Sequence, residues 1–523
     1  MSSSEDSSGS GSGAPGSTSV LAGISSVAIP AWGRLLPRRQ PDTRSPKSAV
    51  ESEGRYRFPD DFLWGTATAA YQVEHTAEDD WAVFERDVIA HGRCSRIAPG
   101  KAQPGHIHKL NEYPEEVRRK KSDFDGHIDE DLAMAAAMGH NAYRFSISWG
   151  RLFPTADQRD PEPAGIAFYR RIFDALAKHR LTPVVTLFHF TSPHWLWQEV
   201  GGRRGWERAD ALEHWDRFVR AVLQHFGGRM PIVCTLNEPM VYVYAGYLDG
   251  VFPPLQKRSG PAAVLPVLAR LLEAHARAYH LIKEDAARRG CNVQVGYAQH
   301  ARSFEPLRNG SVLDRLTAGM ITRAFIWDFC DAVDTGTLRM SGTRGAQQIP
   351  GLRGTQDYIG INYYGRFYVR SSVLHPTKFE VLLHDPATRA ADDPSDLDWA
   401  SFPLGFRQVL GEANRRYPLP VYVLENGTAD ARDDDRLRQR LLVEHVREMW
   451  LARRDGVDVR GYFHWSLVDN FEWAEGFDAR FGLVRVDYRD GFRRTPRKSA
   501  ELYSRIIGQN GLDPALAAAW FAR

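Results

Sequence analysis

Two glutamates stand at positions where acid/base chemistry is expected. Glu238 and Glu425 each close an apolar, β-type run, within TLNEP and VLENGT respectively. Most glutamates are solvated surface charges, but a surface charge has no reason to end a buried run. Cleavage of a glycosidic bond requires a pair of carboxyl groups, one to attack the anomeric carbon and one to protonate the departing oxygen. The two glutamates therefore predict glycoside chemistry, provided that the fold brings them together.

Other polar or aromatic side chains also follow the ends of apolar runs. They are Gln72, Glu74, Arg144, His189, Asn237, Asn362, Tyr364 and Trp465. In a closed barrel of parallel strands, all C-terminal strand ends converge on one face, where catalysis takes place. A polar residue at the end of one strand can be due to chance, whereas polar residues at the ends of most of the strands predict a site.

Eight short apolar or β-branched segments supply strands for such a barrel. They span residues 62–70, 142–147, 183–189, 232–237, 293–299, 357–363, 420–425 and 459–465. Amphipathic helical stripes lie between them, for example at positions 169, 172, 173 and 176. Repeated strand–helix units give either an open doubly wound sheet or a closed barrel. Eight units without a Gly-rich phosphate loop favour an α/β fold with a single (β/α)8 TIM barrel and long βα-loop insertions.

Composition divides the chain into three parts. Residues 1–54 form a Ser/Gly-rich tail and linker, which we expect to be disordered because it cannot bury enough apolar surface to offset its ordering entropy. Residues 55–510 form the predicted barrel. Residues 511–523 form a C-terminal extension.

Charge and cysteine content restrict the partners and the compartment. Lys and Arg number 67 against 65 Asp and Glu in the 523 residues, a net charge of +2, so neither nucleic acid nor an anionic membrane is a predicted partner. Four cysteines without a CxxC pair are typical of a reducing compartment. No basic n-region precedes an apolar signal segment, and no apolar run approaches the length of a membrane span. These features predict a cytoplasmic protein and leave its oligomeric state open.

The sequence gives only a weak indication of a metal site. His106 and His108 form an HxH pair in the basic segment 91–126, but no companion ligands are recognisable, so a solvated loop is the better interpretation. We expect neither a metal nor a cofactor.

Seven stretches occur in a familiar order along the chain. They are FPDDFLWGTATAAYQVE (58–74), NAYRFSISWGRLFP (141–154), TLFHFTSP (186–193), TLNEP (235–239), DYIGINYY (357–364), VLENGT (423–428) and GYFHWSLVDNFEWAEGF with RFGLVRVDY (461–488). Together they resemble glycoside hydrolase family 1, the family of β-glucosidases and β-galactosidases. The resemblance extends from about residue 58 to 508.

The resemblance implies roles for the two glutamates. Glu425 matches the family's nucleophile, and Arg144, Asn362 and Tyr364 match groups that support it. Since a cation and hydrogen-bond donors favour an ionised carboxyl group, Glu425 is expected to be a carboxylate at neutral pH. Glu238 matches the acid/base, and the like charge of Glu425 is expected to raise its pKa above the ordinary value. A retaining mechanism predicts carboxyl groups about 5–5.5 Å apart.

The resemblance also implies a sugar-binding set. Contacts to sugar hydroxyls are implied for Gln72, His189, Asn237, Glu472 and Trp473, and a stacking platform for Trp465. Amide and carboxylate groups bind hydroxyls, while an aromatic face covers the apolar C–H side of a pyranose. Asn237 is expected to bind the 2-hydroxyl, a contact that strengthens in the transition state.

Variant positions refine the expected substrate. The acid is not replaced by Gln, as it is in the family's branch that cleaves sulfur glycosides. Phe471, Glu472 and Trp473 stand where phosphate-binding members carry Ser and Lys, which implies an unphosphorylated sugar. His75 stands in place of the usual Gly and Phe190 in place of a common Trp. Together with the insertion at 91–126, these departures concern the aglycone side and the rim of the site.

The favoured function is retaining hydrolysis of O-linked β-D-glycosides, with β-glucosides first and β-galactosides or β-fucosides next. The expected partner is a small-molecule glycoside. A transglycosylase needs the same two carboxyl groups and therefore stays open as an alternative. A sugar-binding protein without turnover predicts damage at a catalytic position, and the sequence contains none.

Overall fold

Eight parallel strands form a closed barrel. The computed structural model describes residues 56–91, 107–372, 379–388 and 393–521. The barrel strands, in chain order, are β1 (Leu63–Ala67), β2 (Ala142–Ser146), β3 (Thr182–Phe188), β4 (Ile232–Asn237), β5 (Gln294–Pro306), β6 (Ile359–Ser371), β7 (Val421–Asn426) and β8 (Val459–Trp465). Each strand pairs with the next, and β8 pairs with β1 to close the ring. The predicted (β/α)8 barrel is confirmed.

Helices surround the barrel. The longer ones are Asp80–His91, Phe124–Ala137, Pro163–Lys178, Ala211–Phe226, Leu265–Arg289, Val312–Thr322, Asp328–Thr335, Pro403–Arg416, Arg436–Arg454, Lys498–Gly508 and Pro514–Phe521. Short helices span Ala70–Val73, Glu115–Lys120, Trp149–Leu152 and Pro239–Val243. The predicted stripe at 169–176 lies on Pro163–Lys178, where Tyr169, Ile172 and Leu176 are completely buried. The period of 3.6 residues places these side chains on the face that packs against the strands.

Long segments follow several strands at the C-terminal end of the barrel. In its described residues, the segment between β1 and β2 carries four α-helices and the 3-10 helix Ile107–Glu112. Strands β5 and β6 are longer than their predicted segments, 293–299 and 357–363, because they continue to pair with each other in parallel as far as Pro306 and Val369. A further strand, Phe379–Leu382, then pairs antiparallel with β6.

The ends of the described chain meet at the barrel. Strand Tyr56–Arg57 pairs antiparallel with Gly511–Leu512, and Leu516 in the following helix is buried. The predicted tail, residues 1–54, lies outside the described residues, as does His106. His108 is exposed, and the described ranges contain no group of three or more His, Cys, Asp or Glu side chains arranged to hold a metal ion. Among the same residues, none of the helices is both long and apolar enough to cross a membrane.

Candidate active site

A cavity lies at the C-terminal end of the barrel. Its walls come from β3 to β8 and the segments that follow them. The lining side chains are His189, Phe190, Asn237, Glu238, Val241, Phe252, His300, Tyr364, Leu397, Trp399, Glu425, Trp465, Glu472, Trp473, Ala474 and Glu475. The two glutamates that the sequence places far apart therefore share one cavity.

A second, open cleft lies at the opposite end of the barrel. Asp61, Tyr422, Arg453 and Arg460 are among the residues that line it, and none of the predicted site residues does. Since the C-terminal face carries the active site in barrels of this kind, the chemistry belongs to the first cavity.

Glu425 is the penultimate residue of β7 and is held by two donors. Arg144 Nη1 donates to its Oε1 at 2.6 Å, and the Tyr364 hydroxyl donates to its Oε2 at 2.7 Å. Gly427 follows two residues later, where a Cβ atom would overlap the main-chain carbonyl of Trp465. The close approach of β7 to β8 thus explains why a glycine follows the glutamate.

Glu238 lies at the turn between β4 and the helix Pro239–Val243. Its φ of +45° is in the left-handed region, an uncommon conformation for a residue with a side chain and one that recurs at functional sites. Oε1 accepts a hydrogen bond from Asn362 Nδ2 at 2.8 Å and lies 3.0 Å from His300 Nδ1. Both donors contact the same oxygen of this buried carboxyl group.

A continuous chain of hydrogen bonds joins the two glutamates. Arg144 Nη2 donates to Asn237 Oδ1 at 2.6 Å, and Asn362 Nδ2 donates to the same oxygen at 3.1 Å. The sequence predicts Asn362 as a support of the nucleophile; in the structure its amide donates to Asn237 and Glu238. Its backbone lies beside Glu425 in the register of β6 and β7. The arrangement fixes both carboxyl groups relative to one another.

The pKa values of the two glutamates run opposite to the order expected from the sequence. Burial raises the pKa of Glu425 to about 7; the charge of Glu238 adds to this rise, while Arg144 and Tyr364 oppose it. Burial also raises the pKa of Glu238, but His300, Asn362 and Arg144 outweigh burial and hold it below its ordinary value. The expectation of a raised pKa at Glu238 and a readily ionised Glu425 is therefore wrong. The expectation took no account of His300, which lowers the pKa of Glu238, or of the full burial of Glu425, which raises the pKa of that group.

His189 is fixed as a neutral donor. Burial, together with the charge of Arg144, lowers its pKa far below the ordinary value. Asn237 Nδ2 donates to His189 Nε2 at 3.0 Å, so the ring proton resides on Nδ1. The Nδ1 atom has no hydrogen-bond partner within the described part of the chain. It is a donor suited to a sugar hydroxyl.

Glu472 faces the cavity beside Trp465 and Gln72. Gln72 Nε2 lies 3.1 Å and Trp465 Nε1 3.4 Å from its Oε2. Burial raises the pKa of Glu472 to about 8, and the charge of Glu425 adds to the rise. Gln72 itself does not line the cavity, since its amide also bonds the Phe471 carbonyl at 2.8 Å. In this structure Gln72 therefore supports the Glu472 loop.

Aromatic rings form the other walls. The ring of His189 stacks between Trp465 and Trp473, with both centroid distances 5.9 Å. Phe190, which has a φ of +68°, packs edge-on against Trp473 at 5.2 Å. Phe252 also contacts Trp473. At position 190 the wall therefore presents an apolar ring without a hydrogen-bond donor.

The other departures from the family pattern lie behind the cavity. His75 Nε2 lies 2.6 Å from Asp123 Oδ1, which ties the segment after β1 to the end of the 91–126 insertion. Within the described part of that insertion, Lys109 Nζ donates to Asp478 Oδ2 at 2.6 Å. Lys121 Nζ lies 4.3 Å from the centroid of the Phe471 ring. The insertion thus braces the loop that carries Glu472 and Trp473.

Sequence reasoning missed several lining residues. His300 immediately follows the predicted fifth strand, which ends at Gln299, so the strand-end rule that identified the other residues would have found it. Leu397 and Trp399 come from the long segment between β6 and the helix Pro403–Arg416. No local pattern marks them, because only the path of the loop brings them to the cavity.

The fold and the site define a class of enzyme. A (β/α)8 barrel with two buried carboxyl groups in one cavity, among amide, histidine and indole side chains, has the parts of a glycosidase that uses two carboxyl groups.

Comparison with known proteins identifies the family. Residues 54–512 match the model of glycosyl hydrolase family 1. Beta-glucosidase A of Thermotoga maritima is 30% identical over 480 residues, which cover 87% of this chain and 99% of that protein. Raucaffricine-O-beta-D-glucosidase of Rauvolfia serpentina is 29% identical, covering 85% and 90%. The solved beta-glycosidase from Pyrococcus horikoshii superposes with a TM-score of 0.75 at 35% identity, covering 89% of this chain and 98% of that one.

The chain belongs to glycosyl hydrolase family 1. It is accordingly a retaining β-glycosidase that acts on O-linked glycosides through a glycosyl-enzyme intermediate. The comparisons favour neither a transglycosylase nor a silent sugar-binding protein.

Proposed function

We propose that this enzyme hydrolyses unphosphorylated β-D-glycosides, β-glucosides first, with Glu425 as nucleophile and Glu238 as acid/base. The observation that carries the proposal is the shared cavity, in which Arg144 and Tyr364 hold one carboxyl group and Asn362 holds the other.

In the first step Glu425 attacks the anomeric carbon. The bond from that carbon to the leaving oxygen breaks, and the proton of Glu238 passes to that oxygen. Arg144 and Tyr364 hold the attacking carboxylate in place, one donor on each oxygen. A glycosidic oxygen beside Glu238 accepts a hydrogen bond from the protonated form and so favours it. Substrate binding thereby moves the pair toward the reactive form, in which Glu238 is protonated and Glu425 is ionised.

In the second step the ester at Glu425 is cleaved. Glu238 is now a carboxylate, because it gave its proton to the leaving group. Since the esterified Glu425 carries no negative charge, Glu238 stays ionised and can accept a proton from water. The water oxygen bonds to the anomeric carbon as the ester oxygen leaves. Two inversions give net retention, and both glutamates return to their starting states.

The sugar-binding wall favours a neutral sugar. Glu472 faces the cavity, and Glu475 lines it as a second carboxyl group. A phosphate group is bound by cationic side chains, and the described residues that line the cavity include no Lys or Arg, whereas a carboxyl group can bind a pair of hydroxyls. We place β-glucosides first and β-galactosides or β-fucosides next.

Trapping the intermediate tests the proposal. A 2-deoxy-2-fluoro-β-glucoside with an activated leaving group should inactivate the enzyme and add one sugar mass to the peptide that contains Glu425. The Glu425→Gln variant is the matched control and should remain unlabelled. Labelling of another residue would overturn the assignment of the nucleophile. No labelling of the wild type, combined with no turnover of aryl β-glycosides, would overturn the proposed substrate class.

A further inference from the structure

His300 reaches Glu238 from β5, a strand that provides neither glutamate. Its Nδ1 lies 3.0 Å from Glu238 Oε1, and the histidine is only 3% exposed. Asn362 Nδ2 donates to the same oxygen. With two donors on Oε1, the second oxygen of Glu238 is the one left for the glycosidic oxygen.

The imidazole ring is held in place by its neighbours. It stacks on Tyr364 at a centroid distance of 5.7 Å and an interplanar angle of 16°. Phe325 contacts the ring edge-on at 5.6 Å. His300 Nε2 has no hydrogen-bond partner among the residues that the structure describes. The polar contact that orients the ring is therefore the one to Glu238.

Charged and titratable groups approach this contact from four strands. Arg144 lies on β2, Glu238 follows β4, Tyr364 lies on β6 and Glu425 lies on β7. On β5 itself, Arg302 is 1% exposed and stacks between the rings of Phe367 and Trp399, 4.0 and 4.4 Å from their centroids. One strand thus supplies two basic side chains to the surroundings of Glu238.

We propose that His300 is a positioning residue for the acid/base: its Nδ1–H holds Oε1 of Glu238, directs the other oxygen to the leaving group and controls how readily the proton is released. This inference rests on the proposed role of Glu238. A donor bound to a carboxylate favours the ionised form, so the contact makes Glu238 a stronger acid. The direction agrees with the lowered pKa of Glu238, to which His300 contributes the largest opposing effect to burial.

Two variants and a matched control test the inference. His300→Phe retains a ring against Tyr364 but has no donor, whereas His300→Asn retains a donor on a shorter side chain. His280→Asn is the control, because His280 is exposed and bonds only the Gly351 carbonyl among the described contacts. For each variant, kcat/KM is measured against pH for a dinitrophenyl β-glucoside and for an alkyl β-glucoside.

The alkyl substrate requires protonation of its leaving group, while the dinitrophenyl substrate does not. His300→Phe should reduce kcat/KM for the alkyl substrate at least about ten-fold more than for the dinitrophenyl one. The acid limb of the pH profile for the alkyl substrate should move to higher pH, because Glu238, the group of lower pKa in the pair, holds its proton more tightly without the donor and the doubly protonated form persists to higher pH. His300→Asn should recover much of the alkyl activity, and the control should match the wild type. Equal losses on both substrates with an unmoved limb would show a merely structural role and overturn the inference.

A double variant separates this inference from the proposed function. In a Glu238→Ala background, His300→Phe should cause no further difference between the two substrates, because the acid is already absent. If Glu238→Ala alone reduces both substrates equally, the proposed role of Glu238 fails. If Glu238→Ala behaves as an acid variant and His300→Phe does not discriminate between the substrates, only the role of His300 fails. Should His300→Phe not fold, the pH profile of His300→Asn against wild type decides.

Discussion

Arg144 and Glu425 form an ion pair of 2.6 Å whose side chains are only 1% and 4% exposed. Because both side chains are buried, water cannot solvate either charge if its partner is removed. The pair therefore affects both the stability of the barrel and the fraction of Glu425 that is ionised and able to attack.

Breaking this pair should destabilise the protein. Arg144→Met leaves a buried carboxyl group without its cation and should lower the free energy of unfolding by about 3–5 kcal/mol. Chemical denaturation measures the change. The double variant with Glu425→Gln should recover part of the loss, because no charge then remains to be compensated. Arg86→Met, at an exposed ion pair, should change the free energy by less than about 1 kcal/mol. If both single variants are equally stable, the buried pair has no special role.

Removing the nucleophile should abolish turnover. Glu425→Ala should lose activity by several orders of magnitude, because no carboxylate remains to attack the anomeric carbon. Added azide or formate should restore turnover and give a product of inverted configuration, which nuclear magnetic resonance identifies. Glu116→Ala, at an exposed helical position, is the matched control. If the rescued reaction gave a product of retained configuration, the assignment of Glu425 as the nucleophile would be contradicted.

Removing the acid should discriminate between leaving groups. Glu238→Ala should spare the first step for dinitrophenyl β-glucosides, which depart without a proton. It should slow alkyl β-glucosides by about 10²–10⁴-fold. Pre-steady-state bursts separate the first step from the second. Equal damage to both kinds of substrate would rule out Glu238 as the acid for the leaving group.

For a dinitrophenyl β-glucoside, whose leaving group needs no proton, the acid limb of the pH profile should follow Glu425. The pKa of about 7 at Glu425 means that kcat/KM for this substrate falls as the pH drops through about 7, since a protonated carboxyl group cannot attack. Tyr364→Phe removes a donor that favours the ionised form, so it should move this limb to higher pH. Tyr422→Phe, at the opposite end of the barrel, should leave the limb in place. A shift to lower pH in Tyr364→Phe would contradict the assigned contact.

Much of the site follows from local sequence. Glu238 and Glu425 are recognisable because each ends a buried β-run, and the common direction of the parallel strands places both at the C-terminal face of the barrel. The same reasoning identified Arg144, His189, Asn237 and Tyr364, all of which contact or line the cavity. His300 was missed because the predicted fifth segment ended at Gln299, whereas β5 continues to Pro306.

Other properties depend on neighbours that are remote in the sequence. The order of the two pKa values reverses because β5 brings His300 to Glu238, while the walls of the cavity remove water from Glu425. The amide of Asn362 donates to Glu238 and not to the adjacent Glu425, because side-chain direction is settled by packing across three strands. Trp399 arrives from a loop with no periodic pattern.

The sequence by itself determined the eight strand–helix units, the two carboxyl groups and hence the class of chemistry, because strand period and residue type are local properties. The tertiary structure alone decided which oxygen each donor contacts, which glutamate holds a proton more tightly and which rings line the cavity. Those properties arise from desolvation and from distances between atoms on different strands, and both exist only after the barrel has closed.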